Sequence, residues 1–243
     1  GIPMVIVTDL TAQIQFRKII YFGLDQYFDL DANKDYIEKA HDSVSGKLNI
    51  PFPPDLDDLA RIHQIVRKRK SFTILEFGLG LSSIVMADAL QKNKLEFDKL
   101  SSKPQIRNNY MFQLFCVDSD LKWINNTKTN FPDRLKSFVH FHHSTLSIGT
   151  FNDRICTQYK KLPLCNPDFI YLDGPDQFIG KKDINGISTS HKDMMPMVSD
   201  ILKFEYFFTP GTIIVCDGRA ANAKFLKDHF KRNWKYVDDQ KND

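Results

Sequence analysis

Residues 73–83, Thr-Ile-Leu-Glu-Phe-Gly-Leu-Gly-Leu-Ser-Ser, constrain the fold of this chain more than any other stretch. An apolar run from Phe72 to Leu75 reads as a buried strand ending in Glu76. Gly78 and Gly80 then make a turn, and Ile84, Val85, Ala87, Ala89 and Leu90 start a helical pattern at once. Strand, glycine turn and helix together build a nucleotide-type cofactor site. The glycines let the backbone turn sharply and let a ligand approach it, while N–H groups at the helix start point at that ligand. The turn departs from the dinucleotide fingerprint, because Ser83 stands where its third glycine would fall and Glu76 precedes the first glycine. A carboxylate there repels a pyrophosphate and suits a ligand that carries an ammonium group.

The pattern continues as alternating strands and helices. A second strand, Phe112 to Val117, ends in Asp118-Ser119-Asp120, and a helix runs from about Leu121 to Asn130. A third strand, Ser137 to His142, ends in His143-Ser144-Thr145, and a helix is expected over 150–160. A fourth, Asp168 to Leu172, ends in Asp173-Gly174-Pro175-Asp176, and a helix is expected from His191 to Phe207. A fifth, Thr212 to Cys216, ends in Asp217-Gly218-Arg219 before a last helix and the segment Trp234 to Val237. Repeated β-then-α units mean a parallel sheet covered on both faces. The expected fold class is α/β, a Rossmann-like doubly wound, mostly parallel sheet. Residues 71–243 form that domain, with insertions near 92–111 and 174–190. Residues 1–70 form a helical extension packed on it, lying against the cofactor end of the sheet. Its last helix starts at Asp55 and puts Leu56, Leu59, Ile62, Ile65 and Val66 on one face.

Every strand ends in a polar residue, and ligands of such sheets bind at that edge. The turn resembles motif I of the class I S-adenosylmethionine-dependent methyltransferases, which reads acid-x-Gly-x-Gly-x-small. The resemblance covers about residues 72–237. It implies that Glu76 lies near the methionine amine, that Gly78 and Gly80 pass under the methionine and ribose, and that Ser82 or Ser83 donates to the methionine carboxylate. It makes Asp118 the ribose ligand, with Asp120 as second candidate, and Ser144 an adenine contact. Asp168 to Gly174 resembles motif IV, whose terminal acid faces the substrate. The catechol-type members hold a divalent cation with two aspartates and an asparagine. Asp173 and Asp217 match the aspartates, so Mg²⁺ is a candidate cofactor beside S-adenosylmethionine, but Gly218 stands in place of the asparagine. Asn222 and Asp176 are the replacements considered. Without a metal, Asp173 is a general base or orienting acceptor, and His143 and His191 are alternative bases. Arg219 can grip a substrate carboxylate or phosphate, with Asp176 and His191 as further substrate contacts. The 174–190 segment is read as a substrate-covering loop. The family sheet usually closes with a hairpin after the last helix, and here only Trp234 to Val237 offers a strand.

Among 243 residues the net charge is +3, too small to argue for nucleic acid. The four cysteines show no metal spacing, which fits a reducing compartment and a cytoplasmic location. No apolar stretch is long enough to span a membrane, and the apolar residues 1–7 are too short for a signal peptide. The expected activity is O-methylation of a small molecule or sugar-containing metabolite. The alternatives are an NAD-dependent oxidoreductase or epimerase, and a non-catalytic binding module of the same fold. The sequence leaves the oligomeric state open, a homo-oligomer included.

Overall fold

The computed structural model describes residues 3–8, 22–27, 56–175, 181–189, 191, 193–194, 197–217 and 220–238. The strands β2 (Thr73–Phe77), β3 (Gln113–Asp118), β4 (Val139–His143), β7 (Phe169–Leu172), β8 (Ile213–Cys216) and β9 (Trp234–Asp238) join a seven-stranded sheet. The seventh strand is β1 (Met4–Thr8), and the order is β4-β3-β2-β7-β8-β1-β9. All neighbours in this sheet run parallel. Central strands of such a sheet are buried on both faces, which is why β2, β7 and β8 read as apolar runs.

The position of β1 corrects the expected organisation. Residues 4–8 are not part of a helical extension; they form an interior strand between β8 and β9. Its Met-Val-Ile-Val-Thr sequence is β-branched and apolar, suited to burial on both faces. The place that the sequence reading left for a closing hairpin is thus filled from the N-terminal side. Residues 9–55 of the expected helical extension fall largely outside the described residues.

One face of the sheet carries α1 (Leu56–Arg69), α2 (Leu81–Asp98) and α3 (Leu121–Asn130). Helix α1 follows the expected pattern, with Leu59, Ile62 and Val66 buried. It packs on α2 rather than over the strand ends. Helix α2 is therefore sandwiched between α1 and the sheet, and Ser82 through Leu90 are all buried. It also runs on to Asp98, so only the remainder of the expected 92–111 insertion is irregular.

A polar cluster ties this layer together. The buried Asp88 of α2 accepts hydrogen bonds from the Tyr27 hydroxyl at 2.7 Å and bonds His63 Nε2 and Lys92 Nζ, each at 2.8 Å. Burial pushes the Asp88 carboxyl up, but bonds from His63, Lys92 and Tyr27 outweigh it and hold the group at about 2.

The other face carries α4 (Asp200–Lys203), α5 (Ala220–His229) and a hairpin of β5 (Leu146–Phe151) and β6 (Arg154–Tyr159). The hairpin replaces the helix expected over 150–160. Asn152 and Asp153 supply the two positive-φ residues that a tight turn between antiparallel strands needs. The helix expected over His191 to Phe207 is also shorter. Only Asp200–Lys203 and the 3₁₀ turn Glu205–Phe207 are helical among its described residues. Pro196 falls within the expected span, and a proline inside a helix removes a backbone bond and clashes with the preceding turn.

Candidate active site

The chain winds from β2 outward to β3 and β4, then crosses back to β7 and β8 on the other side of β2. The strand order therefore reverses between β2 and β7, and ligands of open parallel sheets bind above such a reversal. Gly78 leaves β2 and Gly174 leaves β7 at that point. The Gly174 and Asp173 N–H groups both donate to the Phe77 carbonyl, and the Gly78 N–H donates to the Val117 carbonyl. The two turns nearly touch. A Cβ on Gly174 would lie 3.1 Å from the Gly78 nitrogen, and one on Gly78 would lie 3.4 Å from the Gly174 nitrogen. Gly78 also holds φ at 98°, where side chains are strained. The crevice floor is thus bare backbone. Trp123 braces the turn, with its indole N–H donating to the Leu79 carbonyl at 2.7 Å.

Acids end or follow the strands β3, β7 and β8 at this same edge of the sheet. Asp118 ends β3, and its Oδ1 accepts from the Asp120 N–H at 2.8 Å. Asp120 itself caps α3 by accepting from the Trp123 N–H, so its role is structural. Asp173 follows β7 and is exposed, and Asp217 follows β8 one register step above the Leu172–Cys216 pair. The sequence expectation that Asp173 and Asp217 end adjacent strands at one edge matches the structure.

Glu76 is placed differently from the expectation. It shares a row with Cys116 and Tyr171 across β3, β2 and β7, on the face that α2 covers. Its side chain is fully buried. The Ser82 and Ser83 hydroxyls both donate to its carboxylate, and the Cys116 thiol donates at 3.3 Å. Ser83 Oγ also accepts from the Gly80 N–H at 3.1 Å. Glu76 therefore clamps the start of α2 to β2 and fixes the glycine turn from beneath. Ser82 and Ser83 are engaged in that clamp rather than aimed at a ligand.

Burial pushes the Glu76 carboxyl up to about 8, against the lowering effect of Ser82, Ser83 and Cys116, and Asp173 raises it further. An acid with a raised folded-state value stabilises the fold most below its unfolded value near 4.5. That stability is lost as pH climbs towards 8, by on the order of 5 kcal/mol. Glu76→Gln should lie within about 1 kcal/mol of the wild type in urea unfolding at pH 5 and exceed it by several kcal/mol at pH 9. Asp168 and Asp200, held at about 6 by burial, add slopes of the same sign to both proteins, so the difference between them isolates Glu76. Parallel curves for the two proteins would disprove the assignment.

Tyr171 is a site residue that the sequence reading missed. Its hydroxyl donates to Asp217 Oδ2 at 2.7 Å. Burial and then Asp173, Asp217 and Glu76 push it well above its ordinary value, so it stays a neutral donor. The signal available was its place one residue before the end of an acid-terminated strand.

The remaining candidates are dispersed. Ser144 is buried and its hydroxyl accepts from the Lys161 N–H at 2.9 Å. His143 bonds the Ser119 carbonyl at 3.0 Å on β4, at the edge of the sheet. Three strand spacings separate it from β7, on the order of 14 Å, so it does not join Asp173 as a base. His191 is exposed, and its Nδ1 accepts from the Asp193 N–H. Asp176, Gly218 and Arg219 lie outside the described residues. Asn222 is committed elsewhere, its side chain bonding both the N–H and the carbonyl of Val198. No group of three metal-ligating residues occurs among the described residues. The expected covering loop is described over Lys181–Thr189. There it is tied to β5 by Ile148 N–H to Lys181 carbonyl at 3.0 Å and closes a short turn between Ile184 and Ile187.

No known family profile matches this chain, and no curated protein matches it. Among solved structures it is similar to the O-methyltransferase TomG from Streptomyces achromogenes, involved in tomaymycin synthesis and solved in complex with SAM. The identity is 16%, over 67% of this chain and 63% of that one, with a TM-score of 0.32. The match thus spans less than two thirds of TomG. It is also similar to the O-methyltransferase from Bacillus cereus in complex with SAH, at 14% identity over 88% of this chain and 81% of that one, with a TM-score of 0.38. The sheet order and its helical layers define the Rossmann-like, doubly wound class that the sequence led us to expect. None of the helices among the described residues is long and apolar enough to cross a membrane.

Proposed function

We propose that this chain is an S-adenosylmethionine-dependent methyltransferase that methylates an oxygen of a small molecule or a sugar-containing metabolite. The observation that carries this reading is the crevice where Gly78 meets Gly174. Its floor is bare backbone, and its borders are carboxylates. A ligand with positive charge is favoured there, and the pyrophosphate of a nicotinamide dinucleotide is disfavoured. S-adenosylmethionine carries both a sulfonium and an ammonium group, and when bound it supplies a methyl group that is already activated.

The residues divide across the crevice. Asp118, on the β3 side, accepts from the ribose hydroxyls. Gly78 and Gly80 let the cofactor lie against the turn, which Glu76 and Trp123 hold in shape. Asp173, on the β7 side, orients the acceptor hydroxyl and takes its proton. Tyr171 holds Asp217 beside it by one carboxylate oxygen. Arg219 and Asp176 are proposed as acceptor contacts, and the 174–190 segment as one wall of the acceptor site. Among the described residues no third ligand for a divalent cation joins Asp173 and Asp217, since Asn222 is engaged by Val198. The reaction is therefore assigned without a metal. Four free cysteines, three of them buried, support a reducing, cytoplasmic setting.

Calorimetry is expected to show one site for S-adenosylmethionine and S-adenosylhomocysteine and no heat with NAD. Binding of NAD alone would replace this reading by the oxidoreductase.

A further inference from the structure

A cavity of about 900 Å³ opens at the opposite edge of the sheet from the crevice. Its walls come from segments entering the strands: Phe72 before β2, Tyr110 before β3, Asp168 before β7 and Pro210 before β8. Uneven covering of this face leaves the space. The β5–β6 hairpin reaches the upper part, where the Tyr159 and Phe77 rings lie 5.7 Å apart. Lower down the chain passes as the irregular stretch 160–168, and α4 is a single turn. Phe72 and Leu75 are left as a floor, with Leu162, Phe204 and Phe207 as walls.

Two further features belong to the same place. Leu164 is 92% exposed and Phe207 71% exposed, although both border the cavity. Large apolar side chains left in water around a concavity mark a contact site. Arg69 and Arg107 line it too, and neither forms an ion pair among the described residues. Arg67, two residues earlier on the same helix, is by contrast bonded to Asn93 and Glu96. The cavity's one carboxylate, Asp168, accepts from the Phe72 and Thr73 N–H groups, so it is held by backbone rather than by either arginine.

We propose that this cavity is a second ligand site, which takes an amphipathic organic anion. An alkyl or aromatic body rests on Phe72, Leu162 and Phe207, and a carboxylate or sulfonate is held by Arg69 and Arg107. The volume suits a ligand of drug-like size. The site is independent of the methyltransferase reading, because it lies at the other end of the strands.

The test uses 8-anilinonaphthalene-1-sulfonate fluorescence on the whole chain. One saturable site is expected, with decanoate displacing the dye at least about tenfold better than decanol, since only decanoate engages the guanidinium groups. Replacing both Arg69 and Arg107 with alanine should remove that preference and leave decanol unchanged. Phe207→Asp, at an exposed position that tolerates charge, should abolish dye binding. S-adenosylmethionine affinity, or its absence, should be the same in all three proteins. No saturable dye binding by the wild type, or equal binding by all three, would overturn the proposal.

Discussion

An Asp173→Asn protein is expected to bind S-adenosylmethionine as the wild type does and to release S-adenosylhomocysteine more slowly by a factor of about 10²–10⁴, the usual contribution of a positioned base. Asparagine keeps the shape of the side chain, and the backbone tie from residue 173 to the Phe77 carbonyl does not involve it. The capacity to take a proton is lost, together with the negative charge that Asp173 places near Glu76 and Tyr171. Asp217→Asn should cost less, because Asp217 already accepts from Tyr171 and acts by placing its neighbours. The measurement is S-adenosylhomocysteine formation with a panel of phenols and sugar alcohols, with and without EDTA. The chelator is expected to change nothing. Full turnover by Asp173→Asn on an acceptor that the wild type methylates would remove Asp173 from the mechanism, and loss of activity with EDTA would bring back the metal.

Gly78→Val should cost both stability and cofactor binding. Holding valine at a φ of 98° costs about 1–3 kcal/mol. Its Cβ would meet the Gly174 backbone at 3.4 Å, and the two methyl groups beyond it would push the β2 and β7 turns apart, adding about 1–3 kcal/mol of overpacking. The same methyl groups would fill the crevice floor. Calorimetry should show S-adenosylmethionine affinity lowered at least about tenfold, and urea unfolding a loss of about 2–6 kcal/mol. Gly174→Ala probes the crossing from the other side, where a Cβ would sit 3.1 Å from the Phe77 carbonyl oxygen. A Gly78→Val protein with unaltered affinity would move the cofactor away from this crossing.

Much of this site was legible in the sequence because its signals are local. The β2–turn–α2 unit and the acids after β3, β7 and β8 each follow an apolar run in the chain itself. The role of Glu76 was not legible, because it depends on which face of β2 receives α2. Strand alternation puts the side chain beneath Ser82 and Ser83, and nothing in the motif distinguishes that from an outward-facing acid. Tyr171 escaped notice because its partner, Asp217, is remote in sequence. The β5–β6 hairpin left a signal in Asn152-Asp153, outweighed by the expectation of a helix between parallel strands. Strand β1 left almost none. Four apolar residues and a threonine carry no periodicity that tells a strand from a stub, and both partners come late in the chain.

That last point bears on how the protein is made. Strand β1 pairs with β8, which begins at Ile213, and with β9, which begins at Trp234. Among the described strands of this sheet, a ribosome therefore releases Met4–Thr8 before the others and supplies their partners after them. Strands β2, β3, β4 and β7 are adjacent in the sheet and can assemble as they emerge, whereas β1 must wait with both edges unsatisfied. Parallel pairings between such distant segments are slow to form. Insertion of β1 between β8 and β9 then waits until both have been made, and during that interval Val5, Ile6 and Val7 keep their strand edges open.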